Sequence, residues 1–182
     1  MSTYVIKNAA GDIEMWDALP FPGSTLVDYE VVRGWDGRAY KAGEEPPRPV
    51  DAIVEAKRTA IDAETSSTIT AGFEYAVDGV SYHFSYDAFD QQNFADTANV
   101  ALLAQMGGKG LPESVAWNAY KNWKDGAGEL VRLTFTAESF LALYTGGAVA
   151  HKAARMAEGG ARKTALAEAV ARGAKVEELE AI

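Results

Sequence analysis

Histidine is the side chain most often used for proton transfer and metal ligation near neutral pH. This chain has two, His83 and His151, 68 residues apart. His83 lies between Tyr82 and Phe84 in a β-prone run, and His151 lies close to Lys152 and Arg155 in an alanine-rich stretch. Neither has a second ligand at metal spacing, so both read as surface or hydrogen-bonded side chains. Asp87, Asp90, Asn93 and Asp96 are oxygen donors of the kind calcium takes. Their spacing is three rather than the two of an EF-hand loop, and the central glycine and terminal glutamate are missing. At that spacing on a helix they line one solvated face. Gly107-Gly108-Lys109-Gly110 has neither the preceding strand nor the following Ser or Thr of a phosphate loop. It reads as a helix stop. Glu74, Asp78, Glu113 and Glu129 could serve a hydrolase only if two of them met in space, which a sequence does not specify. There is no GxSxG, no GxGxxG after a strand and no GxxxxGK[ST]. The chain has no cysteine, which excludes disulfides, thiolate metal sites and a cysteine nucleophile. The expectation is a protein with no catalytic residue, no cofactor and no metal. A hydrolase using acidic residues is the weakest alternative.

Tryptophan is the remaining signal. Trp16 and Trp35 fall in the first 48 residues together with Tyr4, Phe21, Tyr29 and Tyr40. So short a module buries a low fraction of its surface. Some of Trp16, Phe21, Trp35 and Tyr40 are therefore expected to remain exposed, or to meet the rest of the chain, as anchors for a partner or a second copy.

The elements that would carry these residues are legible from turns and periodicity. Net charge is −9, which argues against a nucleic-acid partner, because phosphate binding needs clustered Lys and Arg. Residues 49–110 carry nine acidic and three basic side chains, and a basic partner surface would be drawn to them. The first residues show no basic start followed by an apolar run, and no apolar stretch approaches bilayer length, so neither a signal peptide nor a membrane span is expected. Hydrophobic residues make up 48%, enough for a core.

Residues 1–48 read as a small antiparallel β leader. Tyr4-Val5-Ile6 and Ile13–Trp16 form one hairpin, and Tyr29–Arg33 and Ala39–Lys41 another, turned at Asp36-Gly37. Pro46, Pro47 and Pro49 make residues 44–49 the expected linker. Residues 49–182 read as an α+β domain. A helix over 50–65 ends at Thr65-Ser66-Ser67-Thr68. A hairpin follows, with Phe73, Tyr75 and Val77 facing Val80, Tyr82 and Phe84 across Asp78-Gly79. A helix over 87–106 carries Phe89, Phe94, Val100, Leu103 and Met106 as its apolar marks. A third hairpin spans 114–135. Thr136 caps a long C-terminal helix, which Gly146-Gly147 and Gly159-Gly160 weaken.

The order of these features resembles a domain of unknown function found in phage and prophage tail fibre and tail fibre assembly proteins. The stretches that carry the resemblance are Ala56-Lys57-Arg58 with Ile61, and Gly72-Phe73-Glu74-Tyr75. Next are Phe84-Ser85-Tyr86-Asp87 with Gln91-Gln92-Asn93, and Trp123-Lys124-Asp125. Last are Leu133-Thr134 with Phe140-Leu141-Ala142-Leu143, and His151 with the alanine-rich end. They span residues 50–172. The leader is similar in style to the short β leader of such proteins. The resemblance implies a non-enzymatic tail fibre assembly factor or minor tail component. Its partner would be a tail fibre or other tail protein, or a second copy of itself. It would act in the bacterial host cytoplasm during assembly or in the virion tail. It implies no catalytic residues. The alternative is a small-molecule or peptide module unrelated to phage.

Overall fold

A computed structural model describes residues 3–182. Met1 and Ser2, the first residues of the stretch inspected for a signal sequence, lie outside the described residues. The fold is α+β and divides into two compact units, one reaching Ile53 and the other beginning at Val54. That division lies a few residues beyond the proline run, inside the first turn of a helix.

The N-terminal unit holds β1 (Thr3–Lys7), β2 (Ile13–Asp17), β3 (Thr25–Val27), β4 (Val31–Arg33) and β5 (Ala39–Lys41) in one sheet of order β3-β1-β2-β5-β4. β1 and β2 pair around Val5 and Trp16. β3 was not expected. It is three residues long and pairs with β1, where Ser24 ties the preceding turn by donating to the Phe21 carbonyl at 2.6 Å. Asp36-Gly37 is not a two-residue turn. The connection runs over residues 34–38, and only Gly37 takes positive φ, at 79°. The core is small: Val5, Val31 and Ala39 are buried, with Ile13, Trp16, Val27 and Tyr29 packed half-buried against them.

The second unit is built on β6 (Phe73–Val77), β7 (Val80–Phe84), β8 (Ser114–Lys124) and β9 (Ala127–Thr136), an antiparallel sheet of order β6-β7-β8-β9. Its helices are α1 (Val50–Thr70), α2 (Ala88–Gln105), α3 (Ala137–Leu143), α4 (Ala150–Ala171) and α5 (Val176–Glu180). A π-helical turn, Tyr144–Val149, joins α3 to α4 without a break in the helix. Asp78 and Gly79 both take positive φ, as the hairpin between β6 and β7 requires. Phe73 pairs with Phe84 and Tyr75 with Tyr82 across that hairpin. These rings face a core of Phe94, Phe135, Phe140 and Leu143, all buried.

Two expectations for this unit are corrected, and the glycines of the C-terminal helix gain a packing role. The helix over 50–65 runs on to Thr70, where Ile69 is buried in the core of this unit, and its hydroxyls fold back onto their own helix: Thr65 donates to the Ile61 carbonyl at 2.7 Å and Thr70 to Ser66 at 3.0 Å. The inward stripe of α2 is Phe94, Ala98 and Ala101, whereas Phe89, Leu103 and Met106 are exposed. α2 packs mainly on α3 and the π-helical turn, and two small alanines beside Phe94 let it lie close to them. Gly147 lies in the π-helical turn and Gly159 within α4, each against a side chain of another element. A Cβ on Gly147 would lie 2.5 Å from the Phe73 ring, and one on Gly159 would strike Thr65. Both glycines permit close approach of the helix to its neighbour.

Candidate protein-binding surface

Trp16, on β2, and Tyr40, on β5, come together because their strands are neighbours in the first sheet. They line one concavity of about 500 Å³ with Asp12, Glu14, Arg33 and Arg38. The Arg33 guanidinium carbon sits 4.9 Å from the centre of the Trp16 ring. The same guanidinium is held there by donating from Nη1 to the Gly37 carbonyl at 2.6 Å. A planar cation over the indole face is an electrostatic attraction to the ring quadrupole. It also leaves Arg33 at the rim, able to meet an acceptor on a partner.

Tyr40 is fixed by donating from its hydroxyl to Asp36 Oδ2 at 2.7 Å. That bond holds the Asp36 carboxyl below its ordinary range and raises the Tyr40 phenol, since each ionised form is favoured or opposed by its partner. Gly34 makes room for the ring: a Cβ there would come 2.7 Å from Tyr40 Cε2.

On the other side of Trp16 lies a second concavity of about 570 Å³, bordered by Asp17, Asp28, Tyr29 and Glu30. Its charged side chains are all acidic. The Tyr29 ring lies between Lys7 and Lys41, each ammonium 5.6 Å from its centre. Lys41 is in turn 3.0 Å from Glu44, whose hydrogen bond raises the lysine above its usual range.

Trp35 stands apart from both concavities, at the tip of the 34–38 connection, and is 50% exposed. Phe21 is half-buried in its own turn and borders neither. The structure thus brings together two of the four candidate aromatics, Trp16 and Tyr40, and leaves Trp35 as a separate exposed anchor. Arg33, Asp36 and the acidic group around Trp16 were not picked out from sequence. The signal available was alternation: Val31 and Arg33 flank Val32 on a strand, which puts a cation on the same side as a core residue.

His83, His151, Asp87 and Asp96 make structural contacts. His83 is buried, with Nδ1 3.1 Å from Glu74 Oε1, and its ring lies flat on Trp123 at 4.0 Å and 2°. Trp123 reaches it through a β-bulge, in which the β8–β9 register shifts after Lys121 and Asn122 takes φ 52°. His151 points its Nε2 at the Ile69 carbonyl, 3.1 Å away, and stacks on Phe73. Asp87 is the N-cap of α2, accepting from the Asp90 amide at 2.8 Å. Asp96 accepts from Gln92 at 2.8 Å. Gly107 ends α2 with φ 84°. Among the described residues, no group of three or more His, Asp or Glu side chains is placed to hold a metal ion. No helix is long and apolar enough to cross a membrane.

A family described as Domain of unknown function (DUF4376) matches residues 52–182. No curated protein and no solved structure matches the chain.

Proposed function

The chain belongs to the DUF4376 family, a domain of unknown function, and on that premise we propose that it is a non-enzymatic tail-associated protein of a phage or prophage. It acts by binding another tail protein, as a tail fibre assembly factor or a minor tail fibre component, in the host cytoplasm during assembly. The observation that carries this reading is the aromatic surface of the N-terminal unit. Trp16 and Tyr40 border an open concavity with Arg33, and Trp35 stands exposed apart from it in the same unit. Exposed tryptophan, tyrosine and arginine are the side chains that supply most of the energy at protein interfaces. The all-acidic concavity next to Trp16 favours a basic segment on the partner. The resemblance of residues 50–172 to phage and prophage tail fibre and assembly proteins supports the choice of partner.

The test is a pull-down from an induced phage or prophage lysate with the full-length protein and with its W35A and W16A variants. Tail fibre or other tail proteins should be retained by the full-length protein and reduced at least fivefold by either substitution. Retention of the same tail proteins by all three, in equal amounts, would sink the reading.

A further inference from the structure

The second unit has a groove of about 380 Å³ between α2 and the β8–β9 hairpin. One wall carries Phe89, Asp90 and Asn93 of α2, and the other carries Asn118, Tyr120 and Arg132. Phe89 is 74% exposed, although it is a large apolar side chain on a well-formed helix. Asn118 and Arg132 are cross-strand partners, so their side chains rise from the same face of the sheet. Among the described residues, the side chains of Asp90, Asn93, Asn118 and Arg132 form no hydrogen bond with another residue. The groove therefore presents an aromatic ring and four free polar groups with no internal task.

Its floor says what fits. β7 ends at Phe84 and pairs with β8 only at His83 and Tyr120, after which the chain turns away through Asp87 into α2. The first residues of β8, 114–117, pair with β9 on one side and have no strand on the other. Among the described residues no strand takes up their backbone N–H and C=O groups on that side, in the line β7 would have followed had it continued. Such an edge accepts an extended chain through main-chain hydrogen bonds, with side chains on alternate residues giving selectivity.

We propose that this groove binds an extended peptide segment of a partner protein by strand addition to β8. The segment fills the lane that β7 vacates and spans about four residues, or roughly 13 Å at the rise of a strand. One of its apolar side chains packs on Phe89. A side chain two residues along meets Asn118 and Arg132, and Arg132 gives preference to an acidic or acceptor group there. The inference rests on the reading that the protein works by binding another protein. It adds a second contact, separate from the N-terminal unit.

The experiment selects binders from a displayed library of random heptapeptides on the immobilised full-length protein, then synthesises the consensus peptide. Binding is measured on full-length protein and on the F89A, R132A and W35A variants. It is measured again with peptides N-methylated one residue at a time. Phe89 and Arg132 are exposed, so neither substitution threatens the fold. F89A should weaken binding at least tenfold and R132A severalfold, with W35A equal to the full-length protein. Methylation should abolish binding at every second position and leave the positions between unchanged, because a strand donates to its neighbour only at alternate residues. The proposal is overturned if no peptide is enriched, if F89A binds as the full-length protein does, or if methylation shows no two-residue period. Loss of tail-protein capture in W35A with no enriched peptide would remove the groove and leave the N-terminal surface standing.

Discussion

The two units answer the same problem, how to bury apolar surface, at different scales. The second unit closes thirteen buried residues into one aromatic-rich cluster, in which Phe73, Phe84, Phe94 and Phe140 touch one another at ring distances under 6 Å or through shared neighbours. The core cluster of the first holds three buried residues, Val5, Val31 and Ala39, and leaves the large rings at its edge. It compensates with polar clamps on those rings, such as Arg33 over Trp16 and Asp36 on Tyr40. Where a unit is too small to hide its aromatics, they are held by charged neighbours and stay within reach of a partner.

That contrast predicts a graded set of outcomes. Phe94→Ala, in the heart of the second unit, should cost about 3–5 kcal/mol in chemical denaturation followed by circular dichroism. Val5→Ala should cost roughly 2 kcal/mol at most, since less surface is lost from a thinner core. Equal losses would erase the distinction between the two cores. Adjacent glycines sharpen it further. Gly159 sits against Thr65 while Gly160 meets nothing within 4 Å. Gly159→Ala should destabilise by about 1–3 kcal/mol through overpacking. Gly160→Ala should stabilise by up to about 1 kcal/mol through helix propensity. Shifts of the same sign in thermal melts would mean that the close approach of α4 to α1 is not what the glycine serves. Thr136→Ala removes the cap that accepts from the Ser139 amide and should cost about 1 kcal/mol in the same melts.

In the first unit the effects on stability are smaller and the effects on binding larger. Trp35→Ala should change stability by no more than about 0.5 kcal/mol, because the ring is half exposed and borders neither concavity. A large drop would show that Trp35 is a core residue after all. The smallest effect concerns pH. Asp36 titrates below its ordinary value of 3.8 because Tyr40 donates to its ionised form. A carboxyl depressed on folding contributes above its unfolded pKa and loses that contribution as pH falls through its folded one. The Tyr40 ring signals in NMR should therefore stay constant down to pH 4 and shift only below it, and Asp36→Asn should remove the shift. Movement of the Tyr40 signals between pH 7 and 5 would assign the clamp to another group.

What the sequence determined by itself is everything set within a few residues. The Asp78-Gly79 turn, the Thr136 cap and the Gly107 stop all work through backbone angles and hydrogen bonds spanning four residues or fewer. The alternation of Phe73, Tyr75 and Val77 against Val80, Tyr82 and Phe84 is similarly local, since a short turn settles which residues meet. Tertiary structure decided the rest. The hydroxyl run at residues 65–70 has no strong local preference for helix, so packing of Ile69 into the core carried the helix through it. Phe89 and Leu103 look like core residues on α2, but the helix buries its Phe94, Ala98 and Ala101 face instead, because the position of neighbouring elements is absent from a linear pattern. Gly147 and Gly159 look like helix weaknesses until Phe73 and Thr65 arrive beside them, each more than seventy residues away in the chain. Trp16 and Tyr40 were visible as aromatics. Their meeting beneath Arg33 required β5 to lie next to β2, a strand order that follows from how the whole sheet closes rather than from any segment within it.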